Sequence, residues 1–421
     1  MNATNSLVVI GLGYVGLPLA YEAVKSGFWV IGLDTSTRIV DALNAGTSHV
    51  DDISDAQVKE MLAAGFQATT DPDMITRAQT IVICVPTPLS SSGGPDLAHV
   101  EQAGQAIASH LQRGQLVVLE STTYPGTTEE VLVPILEKSG LKAGTDFFCA
   151  FSPERIDPGN AYFRVRNTPK IVGGMDAESS TRVQHFYEQF VDEVILARGV
   201  REAELAKLIE NTYRHVNIAL MNELVQFCFE LDIDLWDAIR CADTKPFGFQ
   251  AFFPGPGVGG HCIPIDPNYL SHRVRTHLGR PFRFIELAQE INESMPTYVV
   301  QRAQQILNSN GKAVKGSRVL MLGVTYKADV ADQRESPAEE VALAFHRLSA
   351  DLAYHDPHVP IWKLGDGHLS CVDDLTTTMQ DSDLIVLLQS HAEYLSFSEW
   401  PSETPVLDTR GVLTTGSAQW L

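Results

Sequence analysis

Short apolar runs alternate with stretches of helical spacing over the first 125 residues of the chain. The runs occupy residues 7–11, 29–34, 80–86 and 116–121. Continuous apolar runs of this length are typical of parallel strands that are covered on both faces. The pattern therefore predicts an α/β domain that is built on a parallel sheet.

Helical spacing of apolar residues dominates from about residue 200 onward. The residues that recur with this spacing are Leu205, Leu208, Ile209, Val216, Leu220, Leu224, Cys228 and Leu231. The spacing predicts a long central helix, and helical segments continue to about residue 307. The sequence Asn-Ser-Asn-Gly at 308–311 predicts a break, after which strands return.

The last hundred residues repeat the strand pattern of the first hundred. Residues 317–323, 352–356, 384–388 and 406–410 resemble residues 6–11, 29–34, 81–85 and 118–122, respectively. We therefore predict an α/β fold with two doubly wound, Rossmann-like domains joined by a central long helix and a helical arm. The predicted domains span residues 1–198, 199–310 and 311–421. Because any two α/β domains share such strands, the repeat supports the fold more than the function.

The composition is that of a globular protein with a strongly acidic surface. The 421 residues are 44% hydrophobic, and 31 Lys and Arg against 52 Asp and Glu give a net charge of -21. Because this charge repels a nucleic-acid backbone, we expect no nucleic-acid partner. The chain has no apolar run of about 20 residues, so we expect no association with a membrane.

Targeting and cysteine patterns both point to the cytoplasm. The apolar start at residues 7–20 has no preceding Lys or Arg and is interrupted by glycines and a proline, which favours a buried strand and turn over a signal peptide. Six cysteines are scattered at Cys84, Cys149, Cys228, Cys241, Cys262 and Cys371. Because the chain lacks a Cys-x-x-Cys pair, we expect neither a disulfide framework nor a metal site.

A Gly-x-Gly-x-x-Gly motif follows the first predicted strand and opens a predicted helix that ends near Gly27. In this context the glycines let the backbone approach a pyrophosphate, and the helix N-terminus attracts its charge. Asp34, at the end of the second strand, is placed to accept both ribose hydroxyls and to repel a 2′-phosphate, which favours NAD over NADP. The nearby Arg38 is the one residue that opposes this preference. The predicted cofactor-binding residues here are Gly11, Gly13, Tyr14, Val15, Gly16, Asp34 and Arg38.

Two further loops follow strands at their carboxyl ends, where open α/β sheets bind ligands. One contains Thr87 within residues 85–88, and the other contains Thr122 within residues 120–126. Their hydroxyl groups either contact the cofactor or ordered water or are ordinary loop residues, since Ser, Thr and Pro are common in loops.

Polar residues with a possible chemical role lie on the central helix and in one glycine-rich loop. Lys207, Asn211 and His215 share one face of the helix, which on spacing alone is typical of a solvated stripe. Cys262 lies in a predicted loop at residues 254–266 that contains four glycines and three prolines. A loop of this composition suits the positioning of a functional group. The other cysteines lie in apolar runs and are expected to be small core residues.

This set of groups suits the oxidation of an alcohol beyond the aldehyde. A second oxidation requires a covalent thiohemiacetal, which a cysteine thiolate such as that of Cys262 would form. The ammonium of Lys207 and the amide of Asn211 would stabilise the developing oxyanion, and Asp266 adds a carboxylate.

Five segments together resemble the UDP-sugar 6-dehydrogenases, the family that contains UDP-glucose dehydrogenase. The segments are residues 11–16, 152–159, 207–211, 259–266 and 323–337. The resemblance implies a four-electron oxidation of the sugar C6 hydroxymethyl group to a carboxylate with two NAD, through a thioester on the cysteine. It also implies an N-terminal NAD-binding domain, a central dimerisation region with the cysteine loop and a C-terminal domain that binds the UDP-sugar.

Residue roles follow from the same resemblance. The implied catalytic residues are Cys262 as nucleophile with Lys207, Asn211, Asp266, Thr122 and Glu154, of which Glu154 helps the hydrolytic step. The implied additional cofactor contacts are Thr87, Thr122 and Arg334. The implied substrate contacts are Glu154, Arg155, Ile156, Lys207, Asn211, Phe253, Gly257, Gly260 and Lys327. Lys327 and Arg334 would reach the active site from the C-terminal domain.

Residues 247–257 and 263–269 resemble the UDP-N-acetylglucosamine 6-dehydrogenase branch more than the UDP-glucose branch. Where UDP-glucose enzymes commonly have an aromatic or polar residue, this chain has Ala251. We therefore expect a cytoplasmic homodimer, or an oligomer built from dimers, that oxidises UDP-N-acetylglucosamine for polysaccharide precursors. UDP-glucose, UDP-N-acetylgalactosamine and UDP-N-acetylmannosamine remain alternative substrates. More remote alternatives are a two-electron hydroxyacid-type dehydrogenase and a non-catalytic sensor of nucleotide sugars.

Overall fold

The computed structural model describes residues 5–90, 94–156, 160, 162–260, 263–414 and 416–421. The chain forms two compact units. The first comprises Met1–Glu210 and Asn268–Gly279, and the second comprises Asn211–Pro267 and Arg280–Leu421. The predicted division into three domains at residues 198 and 310 stays a prediction.

The first unit is built on an eight-stranded sheet. Its strands are β1 Ser6–Ile10, β2 Trp29–Leu33, β3 Gln67–Thr69, β4 Thr80–Ile83, β5 Leu116–Leu119, β6 Phe148–Phe151, β7 Lys170–Gly174 and β8 Val194–Leu196. They are arranged in the order β3-β2-β1-β4-β5-β6-β7-β8, and of these pairs only β6 and β7 are antiparallel. The first six strands thus have the doubly wound order of a dinucleotide-binding domain, with the switch point between β1 and β4.

Helices cover both faces of this sheet. They are α1 Gly16–Lys25, α2 Thr37–Asn44, α3 Asp55–Ala63, α4 Ala98–His110, α5 Val133–Leu136 and α6 Ala177–Glu188, with 3-10 turns at Pro72–Arg77 and Glu137–Ser139 and a π-helical turn at Thr128–Leu132. Successive residues of β1 alternate between two buried cores, since Leu7 and Val9 belong to one and Val8 and Ile10 to the other. This alternation explains why the strand reads as a continuous apolar run.

Between residues 200 and 309, the described residues form four helices. They are α7 Val200–Glu230, α8 Leu235–Asp243, α9 Asp266–Leu278 and α10 Arg283–Ser309. Helix α7 has 31 residues, which confirms the predicted long central helix. Helix α10 ends at Ser309, at the predicted break. The apolar positions of α7 do not form one buried face, because Leu208 is buried whereas Ile209 and Leu220 are exposed.

The second unit contains a five-stranded sheet with an added hairpin. Its strands are β9 Arg318–Leu322, β10 Asp351–His355, β11 Ile361–Leu364, β12 Gly367–Ser370, β13 Leu384–Leu387, β14 Val406–Asp408 and β15 Ala418–Trp420, and its helices are α11 Pro337–Arg347, α12 Leu375–Asp381 and α13 Ala392–Ser396. The sheet has the order β10-β9-β13-β14-β15 with parallel pairing throughout, and β11 pairs with β12. This is the second common doubly wound order, so the predicted fold with two Rossmann-like domains is confirmed.

Within the part of the chain that the structure describes, none of the helices combines the length and the apolar character that a bilayer crossing requires. The cytoplasmic location stays a prediction.

Candidate active site

The glycine motif forms a tight turn between β1 and α1. Gly11 has a φ of +91° and its N–H donates to the carbonyl of Leu33 at 2.8 Å. A Cβ atom on Gly11 would lie 2.7 Å from the carbonyl oxygen of Cys84, and one on Gly16 would lie 1.9 Å from that of Gly11. By contrast, a Cβ atom on Gly13 would meet no atom within 4 Å. The backbone at Gly13 is therefore open to a ligand at the N-terminal end of α1, which fits the pyrophosphate of NAD.

Asp34 is held by two backbone amides at the end of β2. Its Oδ2 accepts from the N–H of Leu12 at 2.9 Å, and its Oδ1 accepts from the N–H of Ser36 at 2.9 Å. The residue is half-buried, and each carboxylate oxygen can accept a second hydrogen bond. This arrangement fits the predicted contact with the ribose hydroxyls. Arg38 lies exposed on α2, so the preference between NAD and NADP stays a prediction.

Hydrogen bonds join the two strand-end loops to each other and to the rest of the first unit. Ser121 Oγ donates to the carbonyl of Val85 at 2.7 Å and thereby joins the loop after β5 to the loop after β4. Thr87 is buried, and its carbonyl accepts a hydrogen bond from the Tyr269 hydroxyl. These contacts give the two loops a fixed conformation. They also support the interpretation of Ser121 as an ordinary loop residue.

Thr122 differs from its neighbours because a charged group binds its hydroxyl. Lys207 on α7 donates from Nζ to Thr122 Oγ1 at 2.5 Å, and Lys207 is only 6% exposed. One turn earlier on α7, the buried Glu204 accepts from the N–H of Gly126 at 2.6 Å and from the N–H and hydroxyl of Thr128 at 2.9 and 2.7 Å. Helix α7 thus holds the loop after β5 at two points. Sequence reasoning missed Glu204, because its three donors lie more than 70 residues away.

Glu154 lies in the loop after β6 and is half-buried. Its carboxylate accepts from the N–H of Ile156. The next residue, Arg155, pairs with Glu210 at 2.7 Å and donates from Nη1 to the carbonyl of Pro169 at 2.6 Å. The guanidinium of Arg155 therefore binds protein groups on two sides. Residues 157–159 of the same predicted segment lie outside the described residues.

A buried ion pair joins the first residue of β7 to the residue after β5. Lys170 Nζ lies 2.9 Å from Glu120 Oε1, and the Tyr187 hydroxyl donates to the same oxygen. Burial opposes the charged form of Lys170, but the nearby carboxylates of Glu120 and Glu154 raise its pKa. Lys170 is therefore an ammonium ion at neutral pH. Its signal in the sequence is a single lysine at the start of an apolar run, which spacing alone does not distinguish from a residue at a strand end.

In the second unit, the amide of Asn211 donates from Nδ2 to Asp266 Oδ2 at 2.6 Å. Asp266 is buried and opens α9, while Asn211 is half-buried one turn after Lys207 on α7. The structure thus brings two of the predicted site residues, Asn211 and Asp266, into direct contact. The predicted nucleophile, Cys262, lies outside the described residues.

The glycine-rich loop before Cys262 has close backbone contacts up to Gly260. Gly257 has a φ of +138° and Gly260 a φ of +86°, and the N–H of Gly260 donates to the carbonyl of Arg334 at 3.0 Å. A Cβ atom on Gly260 would lie 2.7 Å from the ring of Tyr326. Phe253, at the start of the loop, is exposed. These contacts restrict the conformation of the loop at Gly257 and Gly260.

The face of α7 that carries Lys207 is not a solvated stripe. His215 is 1% exposed and lies against Asn292, whose Nδ2 is 3.4 Å from His215 Nδ1. Burial lowers the pKa of His215 to about 4, so the ring is neutral at neutral pH. The solvated-stripe alternative is wrong for Lys207 and His215, because both side chains pack against other elements of the fold.

Two predicted residues of the C-terminal domain follow β9. Arg334 pairs with Asp332 at 2.5 Å and has a half-exposed side chain. Lys327 is half-buried, and its carbonyl accepts from the Thr325 hydroxyl at 2.9 Å. Their contacts with cofactor and substrate stay predictions.

The second doubly wound domain repeats the carboxylate arrangement of the first. Asp356 follows β10 as Asp34 follows β2, and it accepts from the N–H groups of Val324 at 2.7 Å and His358 at 2.9 Å. In this domain, however, His391 Nε2 lies 3.1 Å from Asp356 Oδ2, and both side chains are fully buried. The imidazole therefore occupies the position in which a ligand hydroxyl would bind.

The expectation that the remaining cysteines are core residues holds only in part. Cys84 and Cys149 are buried, and burial raises the pKa of Cys149 to about 12. Cys228 and Cys371 are half-buried. The expectation is wrong for Cys241, which is exposed on α8 because that helix turns Trp236 and Ile239 into the core.

Comparison with known proteins places the whole chain in one family. Residues 5–191 match the NAD binding domain of the UDP-glucose/GDP-mannose dehydrogenase family, residues 201–294 its central domain and residues 320–415 its UDP binding domain. UDP-N-acetyl-D-glucosamine 6-dehydrogenase of Pseudomonas aeruginosa is 36% identical over 355 residues, which cover 84% of this chain and 83% of that protein. NDP-N-acetyl-D-galactosaminuronic acid dehydrogenase of Ralstonia solanacearum is 34% identical and covers 97% of this chain and 96% of that protein.

A solved structure agrees with these matches. The structure of the UDP-D-ManNAc dehydrogenase from Pyrococcus horikoshii has a TM-score of 0.89 at 30% identity, covering 99% of this chain and 98% of that chain. The matches confirm the predicted resemblance and the prediction that NAD is the cofactor. The chain therefore belongs to the UDP-glucose/GDP-mannose dehydrogenase family, as an NAD-dependent UDP-sugar dehydrogenase.

Proposed function

We propose that the protein oxidises the C6 hydroxymethyl group of a UDP-N-acetylhexosamine, foremost UDP-N-acetylglucosamine, to a carboxylate. The observation that carries the proposal is the pair of polar contacts on successive turns of α7. There the buried Lys207 ammonium binds the Thr122 hydroxyl, and the Asn211 amide binds the Asp266 carboxylate. A cation and an amide that are held in this way suit the stabilisation of an oxyanion on C6.

The cofactor site fits the chemistry that this reaction needs. Gly11, Gly13, Gly16 and Asp34 would hold NAD, with further contacts from the predicted residues Tyr14, Val15, Arg38, Thr87 and Arg334. When it is bound, NAD supplies the hydride acceptor for both oxidations.

The protein groups carry the remaining chemistry. After the alcohol has been oxidised to the aldehyde, the Cys262 thiolate adds to C6 and forms a thiohemiacetal, whose oxyanion Lys207 and Asn211 stabilise. The second two-electron oxidation turns this adduct into a thioester. Glu154 then takes a proton from water, the water oxygen bonds to C6, and the C–S bond breaks to release the carboxylate and the thiol. Asp266 orients the Asn211 amide throughout.

Binding of the UDP portion is assigned to the C-terminal domain and the glycine-rich loop. The match of residues 320–415 to the family's UDP binding domain supports this assignment. The proposed substrate contacts are Arg155, Ile156, Phe253, Gly257, Gly260 and Lys327.

The preference for UDP-N-acetylglucosamine rests on residues 247–257 and on the 36% identity to the Pseudomonas aeruginosa enzyme of that name. UDP-N-acetylmannosamine is a second candidate, because the Pyrococcus horikoshii enzyme matches 99% of this chain in structure. The test is a panel of UDP-sugars that is assayed for NADH formation, with UDP-glucose and the N-acetylgalactosamine and N-acetylmannosamine epimers included.

With limiting UDP-N-acetylglucosamine and excess NAD, we expect two NADH per sugar and an acid as product. One NADH per sugar with free aldehyde would refute the thioester mechanism. A higher kcat/KM with UDP-glucose than with every N-acetylated sugar would refute the proposed substrate class.

We further propose a homodimer, or an oligomer built from dimers, in which a second copy covers apolar side chains of α7 and α10. Leu220 and Phe227 on α7 are 48% and 55% exposed, Leu231 directly after α7 is 68% exposed, and Phe284 on α10 is 70% exposed. Large exposed apolar side chains of this kind are typical of protein interfaces. Light scattering coupled to gel filtration should give twice the 46.1 kDa chain mass or a multiple of it, and Phe227→Glu should lower that mass. A monomer at micromolar concentration would refute this proposal.

A further inference from the structure

The buried pair of Lys170 and Glu120 calls for an explanation other than stability. The two side chains are 8% and 0% exposed, and Glu120 Oε2 has no hydrogen-bond partner among the described residues. Removing two charges from water costs about as much as their attraction returns, so a buried pair of this kind is a poor source of stability. A role in positioning or in electrostatics explains it better.

The pair links the two loops that carry the proposed catalytic groups of the first unit. Glu120 comes two residues before Thr122 in the loop after β5. On the other side, Lys170 stands between Pro169 and Ile171, whose carbonyls accept hydrogen bonds from Arg155 at 2.6 Å and from Ser152 at 2.9 Å.

These two donors stand on either side of Glu154 in the chain. The loop that carries Glu154 is therefore fastened to the residues that flank Lys170, and the side chain of Lys170 is fastened to the loop that carries Thr122. A shift of Lys170 would move both loops.

The charges around Lys170 are unbalanced without it. Glu120 and Glu154 both act on the Lys170 ammonium, and the neighbouring titratable groups are the Tyr187 hydroxyl and the Cys84 thiol. Burial raises the pKa of both of these neutral groups, so neither supplies a compensating charge at neutral pH. Without the ammonium ion, the buried Glu120 would keep Glu154 as a neighbouring negative charge and would lose the cation that offsets it.

We propose that Lys170 is a positioning residue that, together with Glu120, holds the Thr122 and Glu154 loops in place and supplies the positive charge near Glu154 during the hydrolytic step. The inference rests on the proposed function, in which Glu154 takes a proton from water. It assigns opposite electrostatic effects to the two members of the pair, because one adds a positive and the other a negative charge near Glu154.

The test is the pH profile of kcat for UDP-N-acetylglucosamine oxidation in two variants that each remove one charge and in a third that keeps the charge. Lys170→Met should move the acid limb of the profile to higher pH by about one unit, because the positive charge that Lys170 supplies near the two carboxylates is lost. Glu120→Gln should move the same limb to lower pH, because a competing negative charge is lost. Lys170→Arg should restore the position of the limb, since it keeps the charge.

Intact-protein mass spectrometry after acid quench gives a second readout. Slow hydrolysis in Lys170→Met should increase the fraction of enzyme that carries the covalent adduct at neutral pH, and raising the pH should reduce it again. The matched control is Val172→Ala, a change of a fully buried residue on the same strand, β7. It should lower the melting temperature without moving the acid limb.

Opposite shifts in the two variants cannot arise from general destabilisation. The inference would be overturned if the acid limbs of Lys170→Met and Glu120→Gln coincide with the wild-type limb. It would also be overturned if both limbs move in the same direction. If Lys170→Met does not fold, the shift of Glu120→Gln to lower pH and the behaviour of Lys170→Arg decide the matter. Failure of the proposed function looks different, because the wild-type enzyme itself would then form no NADH with any N-acetylated UDP-sugar.

Discussion

Replacing Glu204 tests whether α7 holds the loop after β5 in its working conformation. The Glu204 carboxylate accepts three hydrogen bonds, from the N–H groups of Gly126 and Thr128 and from the Thr128 hydroxyl, at 2.6, 2.9 and 2.7 Å. Glu204→Leu preserves much of the side-chain volume but removes every acceptor. The Thr128 hydroxyl can rotate to another partner, whereas the two amides are fixed by the backbone and remain buried without one.

Each buried amide that loses its acceptor costs about 1–3 kcal/mol, so two of them cost about 3 kcal/mol at the lower part of that range. The closed conformation of the loop is destabilised by this free energy relative to its open conformation. Because about 1.4 kcal/mol corresponds to a tenfold change in an equilibrium constant, the amides should exchange with solvent on the order of 100-fold faster.

Hydrogen exchange measured by mass spectrometry on peptides that cover residues 121–132 provides the assay. A peptide that covers β9, in the other compact unit, serves as the internal reference. The matched control is Glu202→Leu, the same change at an exposed position of α7 two residues earlier. It should leave exchange in residues 121–132 unchanged.

We also expect Glu204→Leu to lower kcat, because Thr122 lies in the loosened loop and no longer holds the Lys207 ammonium in place. Unchanged exchange in residues 121–132, in a variant that is folded and active, would refute the conclusion that Glu204 fixes this loop.

Three further outcomes follow from individual side chains. Because the Asp34 carboxylate repels a 2′-phosphate, the wild-type enzyme should have a far higher kcat/KM with NAD than with NADP. Asp34→Ala should reduce this difference in kcat/KM. Equal kcat/KM with both cofactors in the wild type would show that Arg38 outweighs Asp34. Cys262→Ala should form no covalent adduct and should lose turnover. Cys84→Ala should mainly lower the melting temperature and have little effect on kcat. Full conversion to the acid by Cys262→Ala at the wild-type rate would contradict the thioester mechanism. Burial lowers the pKa of His215 from 6.5 to about 4, so the unfolded chain binds the proton more tightly and stability is lost as the pH falls through this window. His215→Gln should therefore show a smaller decrease in melting temperature between about pH 7 and about pH 5 than the wild type, and an equal decrease would show that His215 is not the group concerned.

Strands were predictable from the sequence because burial on both faces leaves a continuous apolar run. The residues at which the strands end were less predictable. The predicted strand at residues 80–86 ends at Ile83 in the structure, as Pro86 has no N–H to donate to a neighbouring strand. Apolar spacing reports burial of a side chain and says little about where the hydrogen bonds of a sheet stop.

Polar contacts between distant residues explain most of what spacing could not predict. The face shared by Lys207 and Asn211 follows from the helical period, but the burial of Lys207 depends on Thr122, which is 85 residues away in the chain. The pair of Glu120 and Lys170 is likewise formed by two residues whose separation matches no helical or strand period. Motif comparison recovered Thr122 and Lys207 as individual positions, since it does not depend on any single spacing.

The internal repeat shows why a shared strand pattern predicts a fold without predicting a ligand. Asp34 and Asp356 follow equivalent strands and are oriented by equivalent backbone amides, yet Asp34 is half-buried and Asp356 is 2% exposed. The difference arises from His391, whose Nδ1 accepts from the N–H of Asp329 at 2.9 Å. This acceptor role places the ring proton on Nε2, which then donates to Asp356 at 3.1 Å. A ribose hydroxyl would have to displace a buried, charge-assisted hydrogen bond to reach Asp356. Among the described residues, the hydrogen bonds given for the Asp34 carboxylate come from backbone amides, and no side chain donates to it. The two domains thus share the backbone that holds a carboxylate, and they differ in the buried histidine that donates to one of the two carboxylates.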